Sequence, residues 1–237
     1  MVARYFGVPV DADTRFVTTD SHVERGSVQA LFSPRFRKIT IAVFSTYLLN
    51  WIAWYLLLLW LPTALTTRGV DKSTAALDTV AVNGGFILFA IPLSLLLPRV
   101  NARNLLLAMF ACGIAISIGL GLAGTNFALV FLLIGMAGFG IGGQQLALNY
   151  LIVNAYPAQL RSNATGWGIG IGRSGTIIGS APGGTLLTGL GVSGYFLCLA
   201  VPLVLAGLTT LAVSRRQGAP PTQSQALAEE DEALAVR

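Results

Sequence analysis

Residues 156–184 read YPAQLRSNATGWGIGIGRSGTIIGSAPGG, a turn with Arg161 followed by a glycine-rich apolar segment. Inside that segment lies Arg173, the only formally charged residue between Arg161 and Arg215. Glycines this frequent would destabilise a helix in water, whereas in a membrane they let neighbouring helices approach closely. An arginine within a membrane helix is energetically costly. The stretch therefore predicts a membrane helix whose Arg173 faces a cavity or a partner, the alternative being an arginine that reaches the helix end and bonds backbone carbonyls.

The composition is that of a membrane protein. Of the 237 residues, 54% are hydrophobic and 11% are charged, against about 25% charged residues in soluble domains. No acidic residue occurs between Asp78 and Glu229. The net charge of +5 comes from scattered clusters and not from a basic face, so no nucleic-acid partner is expected. We predict an all-α membrane protein embedded in a lipid bilayer.

Apolar segments of about 20 residues, the length that crosses a bilayer, predict six transmembrane helices. They cover residues 39–61, 78–97, 105–123, 127–154, 163–187 and 194–213, and the first is expected to stop at Pro62. The chain then divides into a cytoplasmic tail (1–38), a six-helix transmembrane half-domain (39–213) and a disordered cytoplasmic tail (214–237).

Basic residues alternate from loop to loop and predict the orientation. The cytoplasmic side of a membrane protein carries the excess of lysine and arginine. Alternate connections hold the clusters Arg35/Arg37/Lys38, Arg99/Arg103, Arg161 and Arg215/Arg216, whereas Arg68 and Lys72 are the only basic residues of the others. Both termini are therefore expected in the cytoplasm.

No constellation for catalysis is present. The predicted helices contain no Ser/His/Asp set, no clustered carboxylates and no metal-ligand spacing, so we expect neither an enzyme nor a metal or cofactor. Residues 170–175 formally match a dinucleotide-binding G-x-G-x-x-G pattern, but the strand and the downstream acid that this pattern needs are missing. The glycines fit small-residue helix packing better, in the sets Gly168/Gly172 and Gly175/Gly179/Gly183.

Several polar and aromatic residues are candidates for a binding site around Arg173. Its guanidinium can bind a carboxylate through two parallel hydrogen bonds. Amide side chains in apolar segments serve either as ties between helices or as polar groups of a pocket, and both interpretations stay open for Asn50, Asn83, Gln144, Gln145 and Asn149. Trp54 is either a pocket wall or an interfacial anchor.

The stretch at 156–184, the segment FRKITIAVFSTYLLNWIAWYLLLLWLPTAL at 36–65 and the Asn83-Gly84-Gly85 triplet resemble the carboxyl-terminal half of the major facilitator superfamily. The branch most similar is the aromatic acid:proton symporters, typified by 4-hydroxybenzoate transporters, and the resemblance covers residues 31–213. It implies symport of small aromatic carboxylates with protons across a bacterial inner (plasma) membrane. It further implies that Arg173 pairs with the carboxylate, that Trp54 and Tyr55 lie near the ring, and that Arg161 is functionally important.

The chain departs from that family at two points. A gating motif of the type Asp-Arg-x-Gly-x-Arg is expected at residues 98–103; here Arg99 and Arg103 are present, but Pro98 and Asn101 replace the aspartate and glycine. The family has twelve helices in two halves, whereas this chain has six, and residues 1–38 resemble the loop that joins the halves. A separately encoded amino-terminal half is one expected partner, beside a split gene or a truncated frame; the alternative function is a non-transporting membrane fragment or interaction module.

Overall fold

The computed structural model describes residues 28–124 and 126–213. These residues form helices and short turns, without a strand among them. The long helices are α1 Arg37–Thr67, α2 Lys72–Leu96, α3 Ala102–Leu122, α4 Phe127–Ala155, α5 Ala158–Ser180 and α6 Gly183–Leu211. The predicted all-α fold is confirmed for this part of the chain. Most of the predicted first tail (1–27) and the whole of the second (214–237) lie outside the described residues.

Five of the six long helices, all except α5, are long and apolar enough to cross a membrane. With 23 residues α5 is also long enough. Its apolar character is lower because it contains two arginines and many glycines. This helix lies within the glycine-rich stretch 156–184. The six predicted spans thus correspond to six helices, of which α5 is the least apolar.

The first helix continues past Pro62, where the sequence predicted its end. Proline removes one backbone hydrogen bond, but within a membrane bundle packing against neighbours tolerates the interruption. Leu61, Ala64 and Leu65 on either side of Pro62 are fully buried. The helix ends instead at Thr67, and Gly69 just after it has a φ of 94°, the left-handed conformation that commonly closes a helix.

The second helix begins earlier than predicted, at Lys72 instead of Asp78. Asp71 caps it, because the carboxylate of Asp71 accepts a hydrogen bond from the Thr74 amide. The predicted external loop at 63–77 therefore shrinks to the few residues between Thr67 and Lys72. As a result Asp78 lies inside the helix, where only 4% of its surface is exposed.

The end of the fifth helix was also predicted wrongly. α5 ends at Ser180, short of Leu187, and Pro182 directly precedes α6. The sequence predicted a turn near Gly191, and a kink occurs there, since Gly191 has φ 68° and ψ −179°. This non-helical residue separates two helical segments of α6, 183–190 and 192–211, so the predicted turn near Gly191 is confirmed. Glycine allows this conformation without the steric cost of a Cβ atom.

The first helix lies at the centre of the bundle and packs against α2, α4, α5 and α6. Its closest neighbour is α5, and the glycines of α5 explain the approach. A Cβ atom on Gly175 would lie 2.5 Å from the Leu48 carbonyl oxygen, and one on Gly172 would lie 2.9 Å from the Trp51 ring. Gly168 and Gly179 also face α1. The predicted small-residue packing is confirmed for these positions.

Charged side chains divide between the two ends of the bundle. One end, the arginine-rich end, carries Arg35, Arg37, Lys38, Arg99, Arg103 and Arg161. The hydroxyls of Thr40 and Tyr156, 2.9 Å apart, join the start of α1 to the turn before α5 there. At the opposite end, Arg68 donates to the Leu120 carbonyl over 2.8 Å. The arrangement matches the predicted alternation of loops, and which end faces the cytoplasm stays a prediction.

Candidate functional site

A cavity of about 270 Å³ opens between α1, α2 and α4. Aromatic rings and amide groups share its wall, which includes Asn50, Trp51, Trp54, Tyr55, Asn83 and Gln145. Four of the residues predicted to bind substrate, Asn50, Trp54, Tyr55 and Gln145, are therefore brought together. This combination of apolar rings with a few polar groups is typical of small-molecule sites.

The aromatic wall is built from two pairs of rings. Trp51 and Tyr55, one turn apart on α1, stack with ring centroids 5.6 Å apart and an interplanar angle of 13°. Trp54 lies against Phe86 of α2 at 6.4 Å. A Cβ atom on Gly142 of α4 would lie 2.8 Å from the Trp54 ring, so glycine at this position leaves room for the indole. The wall can accommodate a flat ring.

The first polar cluster consists of Asn50, Gln144 and backbone carbonyls of a π-helical segment in α4, Gly138–Gly142. Such segments leave backbone carbonyls without their usual helical partners. The Asn50 amide donates to the Ile141 carbonyl over 3.2 Å and to the Gln144 side-chain oxygen over 2.5 Å. Gln144 in turn donates to the Gly140 carbonyl and is fully buried. Both ends of the Gln144 amide are thus bound within the protein, and Gln144 serves as an inter-helix tie in this arrangement.

A second polar cluster connects the cavity wall to the core of the bundle. The Trp51 indole N–H donates to the Gln145 oxygen over 2.8 Å, and the Gln145 amide donates to the Asn149 oxygen over 3.5 Å. Tyr47, which is fully buried, donates its hydroxyl hydrogen to the same Asn149 oxygen over 2.5 Å. Gln145 and Asn149 thus lie on one face of α4. These bonds fix the orientation of Trp51.

Arg173 does not line the cavity but contacts its wall. The guanidinium carbon lies 5.1 Å from the centroid of the Trp51 ring, within the range of a cation–π interaction. The side chain is exposed at the surface of α5 and forms no ion pair with the described residues. Trp51 therefore connects Arg173 to the cavity. The sequence indicated Arg173 but did not assign Trp51 to the site, although Trp51 and Tyr55 have the spacing of one helical turn.

The three residues predicted for gating or coupling lie at the arginine-rich end, away from the cavity. Arg103 is buried and donates to the carbonyls of Thr210 and Leu211 at 3.3 and 2.9 Å, where it closes the end of α6. Arg161 donates to the Tyr156 carbonyl over 2.9 Å. Arg99 is exposed at the end of the 3₁₀ turn Leu97–Arg99. Of the three, only Arg99 makes no such internal contact.

Comparison with known proteins gives consistent results. Residues 18–236 match the family model described as Major Facilitator Superfamily. The gallate transporter of Pseudomonas putida is 33% identical over 203 residues, which are 85% of this chain and 45% of the relative. The gentisate transporter of Corynebacterium glutamicum is 29% identical over 212 residues, 89% of this chain and 46% of the relative.

A third relative, the 4-hydroxybenzoate transporter PcaK of Pseudomonas putida, is 31% identical over 195 residues, 80% of this chain and 42% of the relative. The chain thus spans about half the length of the curated relatives it matches. All three relatives are named as transporters and none as an enzyme.

Proposed function

The chain belongs to the Major Facilitator Superfamily, and from this premise we propose that it takes part in proton-linked transport of small aromatic carboxylates. It is an all-α protein of a family of membrane transporters and not an enzyme. In the proposal these residues supply the carboxyl-terminal half of the transporter, and an amino-terminal half supplies the rest. The relatives named for gallate, gentisate and 4-hydroxybenzoate support an aromatic acid as the substrate.

The observation that carries the proposal is the aromatic cavity beside Arg173. Its volume of about 270 Å³ lies just below the about 300–1,000 Å³ of sites for drug-sized ligands, which suits a single ring. Trp54 and Phe86 form one wall, and the Trp51–Tyr55 stack forms the other. The side-chain oxygen of Asn50 and the amide of Gln145 add hydrogen-bonding groups for a ring hydroxyl.

Arg173 is the proposed partner of the substrate carboxylate. It is the only charged residue that α5 carries beyond Arg161, and no carboxylate of the described residues occupies it. The Arg173 side chain contacts the Trp51 ring at 5.1 Å and has no hydrogen bond to the described residues, so its N–H groups are available to a carboxylate. A carboxylate at the rim of the cavity can then bind these groups while its ring lies against Trp51.

The competing function is a membrane fragment or interaction module that binds no substrate. The outward surface of α5 supports assembly with another protein under either function, because a Cβ atom on Gly166 or Gly170 would meet nothing within 4 Å. Binding of the ligand therefore decides between the two.

The test is calorimetric titration of the purified chain with 4-hydroxybenzoate, with benzyl alcohol and cyclohexanecarboxylate as ligands that lack the carboxylate or the aromatic ring. Under the proposal only the aromatic acid binds measurably. Trp54→Leu weakens its binding about tenfold, because the ring loses its stacking partner. Trp167→Leu is the matched control, since Trp167 is an exposed tryptophan on α5 outside the cavity. Absence of binding by the folded chain favours the interaction module.

A further inference from the structure

Asp78 is a carboxyl group buried without a partner. It lies in the second turn of α2 with 4% of its surface exposed, and its Oδ1 atom has no hydrogen-bond donor. The side chain forms no ion pair with the described residues. On the same face of α2, Ala75 is 1% exposed and Val82 is fully buried. The surroundings along this face are therefore apolar.

No positive charge faces Asp78 from the helices that pack against α2, which are α1 and α4. Residues 56–67 of α1 include no ionisable side chain, and Tyr55 is the nearest one on that helix. The only ionisable residue of α4 is Tyr150, near its far end. Arg68, just after α1, is directed to the Leu120 carbonyl and to the Phe196 ring. Arg99, in the 3₁₀ turn after α2, lies at the opposite end of the bundle.

Asp71 provides a contrast on the same segment, about two helical turns away. It is fully exposed and accepts hydrogen bonds from the Ser73 hydroxyl and the Thr74 amide. These bonds, that of the Ser73 side chain first, hold the pKa of the Asp71 carboxyl below its usual range. Asp71 is thus exposed and has stabilising donors, whereas Asp78 is 4% exposed and no donor reaches its Oδ1 atom. Lys72, the neighbouring cation, is also exposed.

We propose that Asp78 is a proton-binding site of this half. An isolated carboxylate is far more costly to bury than the neutral acid. The carboxylate takes up a proton from water, an O–H bond forms on one carboxyl oxygen, and the reverse step returns the proton to water when the site opens. Asn83, on the cavity wall, lies five residues further along α2, about 7 Å along the helix axis. Use of this proton in symport rests on the proposed function, where it would balance the charge of one substrate carboxylate.

Infrared spectroscopy of the full chain in lipid bilayers tests the site directly. A protonated carboxyl group has a carbonyl stretching band that is separate from the bands of a carboxylate. We expect this band at neutral pH in the unaltered chain, its loss in Asp78→Asn, and its persistence in the matched control Asp71→Asn. If the band is absent, or survives unchanged in Asp78→Asn, the proposal is wrong.

A second variant keeps the test decisive if Asp78→Asn does not accumulate. In Asp78→Glu the acid is retained in a different position, so the carbonyl band should move in frequency. A band at the original frequency in a folded Asp78→Glu protein would come from another group and would overturn the assignment.

Titration of the same samples with 4-hydroxybenzoate separates this proposal from the proposed function. A band that depends on Asp78 in a chain that binds no aromatic acid supports the proton site and contradicts the transport function. Binding of the acid without such a band supports the transport function and contradicts the proton site.

Discussion

The two faces of α5 use glycine for different purposes. On the inward face, Gly172 and Gly175 lie where a Cβ atom would collide with α1, so glycine is required by packing within this chain. On the outward face, Gly166 and Gly170 have nothing within 4 Å of a Cβ atom. That face also carries Ser162 and Arg173, both exposed. The inward glycines explain how α5 packs in this chain, and the outward glycines leave a surface that a ligand or a partner protein can contact.

The largest effect is expected from replacing an inward glycine. Gly175→Leu places a side chain where even a Cβ atom would lie 2.5 Å from the Leu48 carbonyl oxygen, and overpacking of this kind costs about 1–3 kcal/mol or more. We expect most of the folded protein to be lost. The measurement is the yield of monodisperse protein in size-exclusion chromatography together with its thermal midpoint.

Gly170→Leu is the control on the outward face of the same helix. Its Cβ atom meets open space, and leucine favours a helix more than glycine by about 1 kcal/mol. The variant should fold as well as the unaltered chain. If Gly175→Leu and Gly170→Leu lose folded protein to the same extent, the two faces of α5 do not differ in packing.

An all-or-none difference is expected in a labelling experiment on the orientation of the bundle. Thr67 and Ser162 are exposed at opposite ends, with Ser162 at the arginine-rich end and on the outward face of α5. If the arginine-rich end is cytoplasmic, a membrane-impermeant thiol reagent added outside intact cells labels Thr67→Cys and not Ser162→Cys. Permeabilised cells serve as the control, in which both react. Labelling of both sites from outside would contradict the orientation.

Replacing Arg173, the charged residue on the outward face of α5, is expected to weaken ligand binding tenfold to hundredfold. Arg173→Gln removes a charge-assisted hydrogen bond of about 1.5–3 kcal/mol to the carboxylate. Arg173→Lys keeps the charge but loses the planar fork, so its binding should be intermediate. Calorimetric titration with 4-hydroxybenzoate measures both.

The amount of folded protein distinguishes binding from structure at Arg173. The side chain is exposed and contacts Trp51 without an ion pair, so Arg173→Gln should insert and fold normally. Normal binding of the acid by folded Arg173→Gln would remove the arginine from the site and leave it a packing role.

Sequence reasoning located the helices and the two charged ends because hydropathy and loop arginines are local signals. It placed helix boundaries wrongly where tertiary packing overrides local preference, as at Pro62, and where a cap lies in polar sequence, as at Asp71. The second error concealed the burial of Asp78, which the sequence placed at the very start of the helix, next to a polar loop. Nor could sequence alone separate Gln144 from Gln145, because a π-helical segment turns one toward the core and the other toward the cavity.

The smallest effect is expected at the loop where the chain departs from the family pattern. Pro98 is exposed in the 3₁₀ turn at the arginine-rich end, and Arg103 is engaged by the carbonyls of α6. A carboxylate at position 98 would therefore act on cations of a partner half at the same end. An exposed ion pair contributes about 0.2–1 kcal/mol, so Pro98→Asp should raise uptake of a labelled aromatic acid about twofold to fivefold when a complete first half is supplied.

Pro98→Asn, which removes the proline without adding charge, separates the electrostatic contribution from the change in backbone. If uptake is unchanged or falls in Pro98→Asp, or rises equally in Pro98→Asn, the loop is a connector and assembly depends on the outward face of α5 alone.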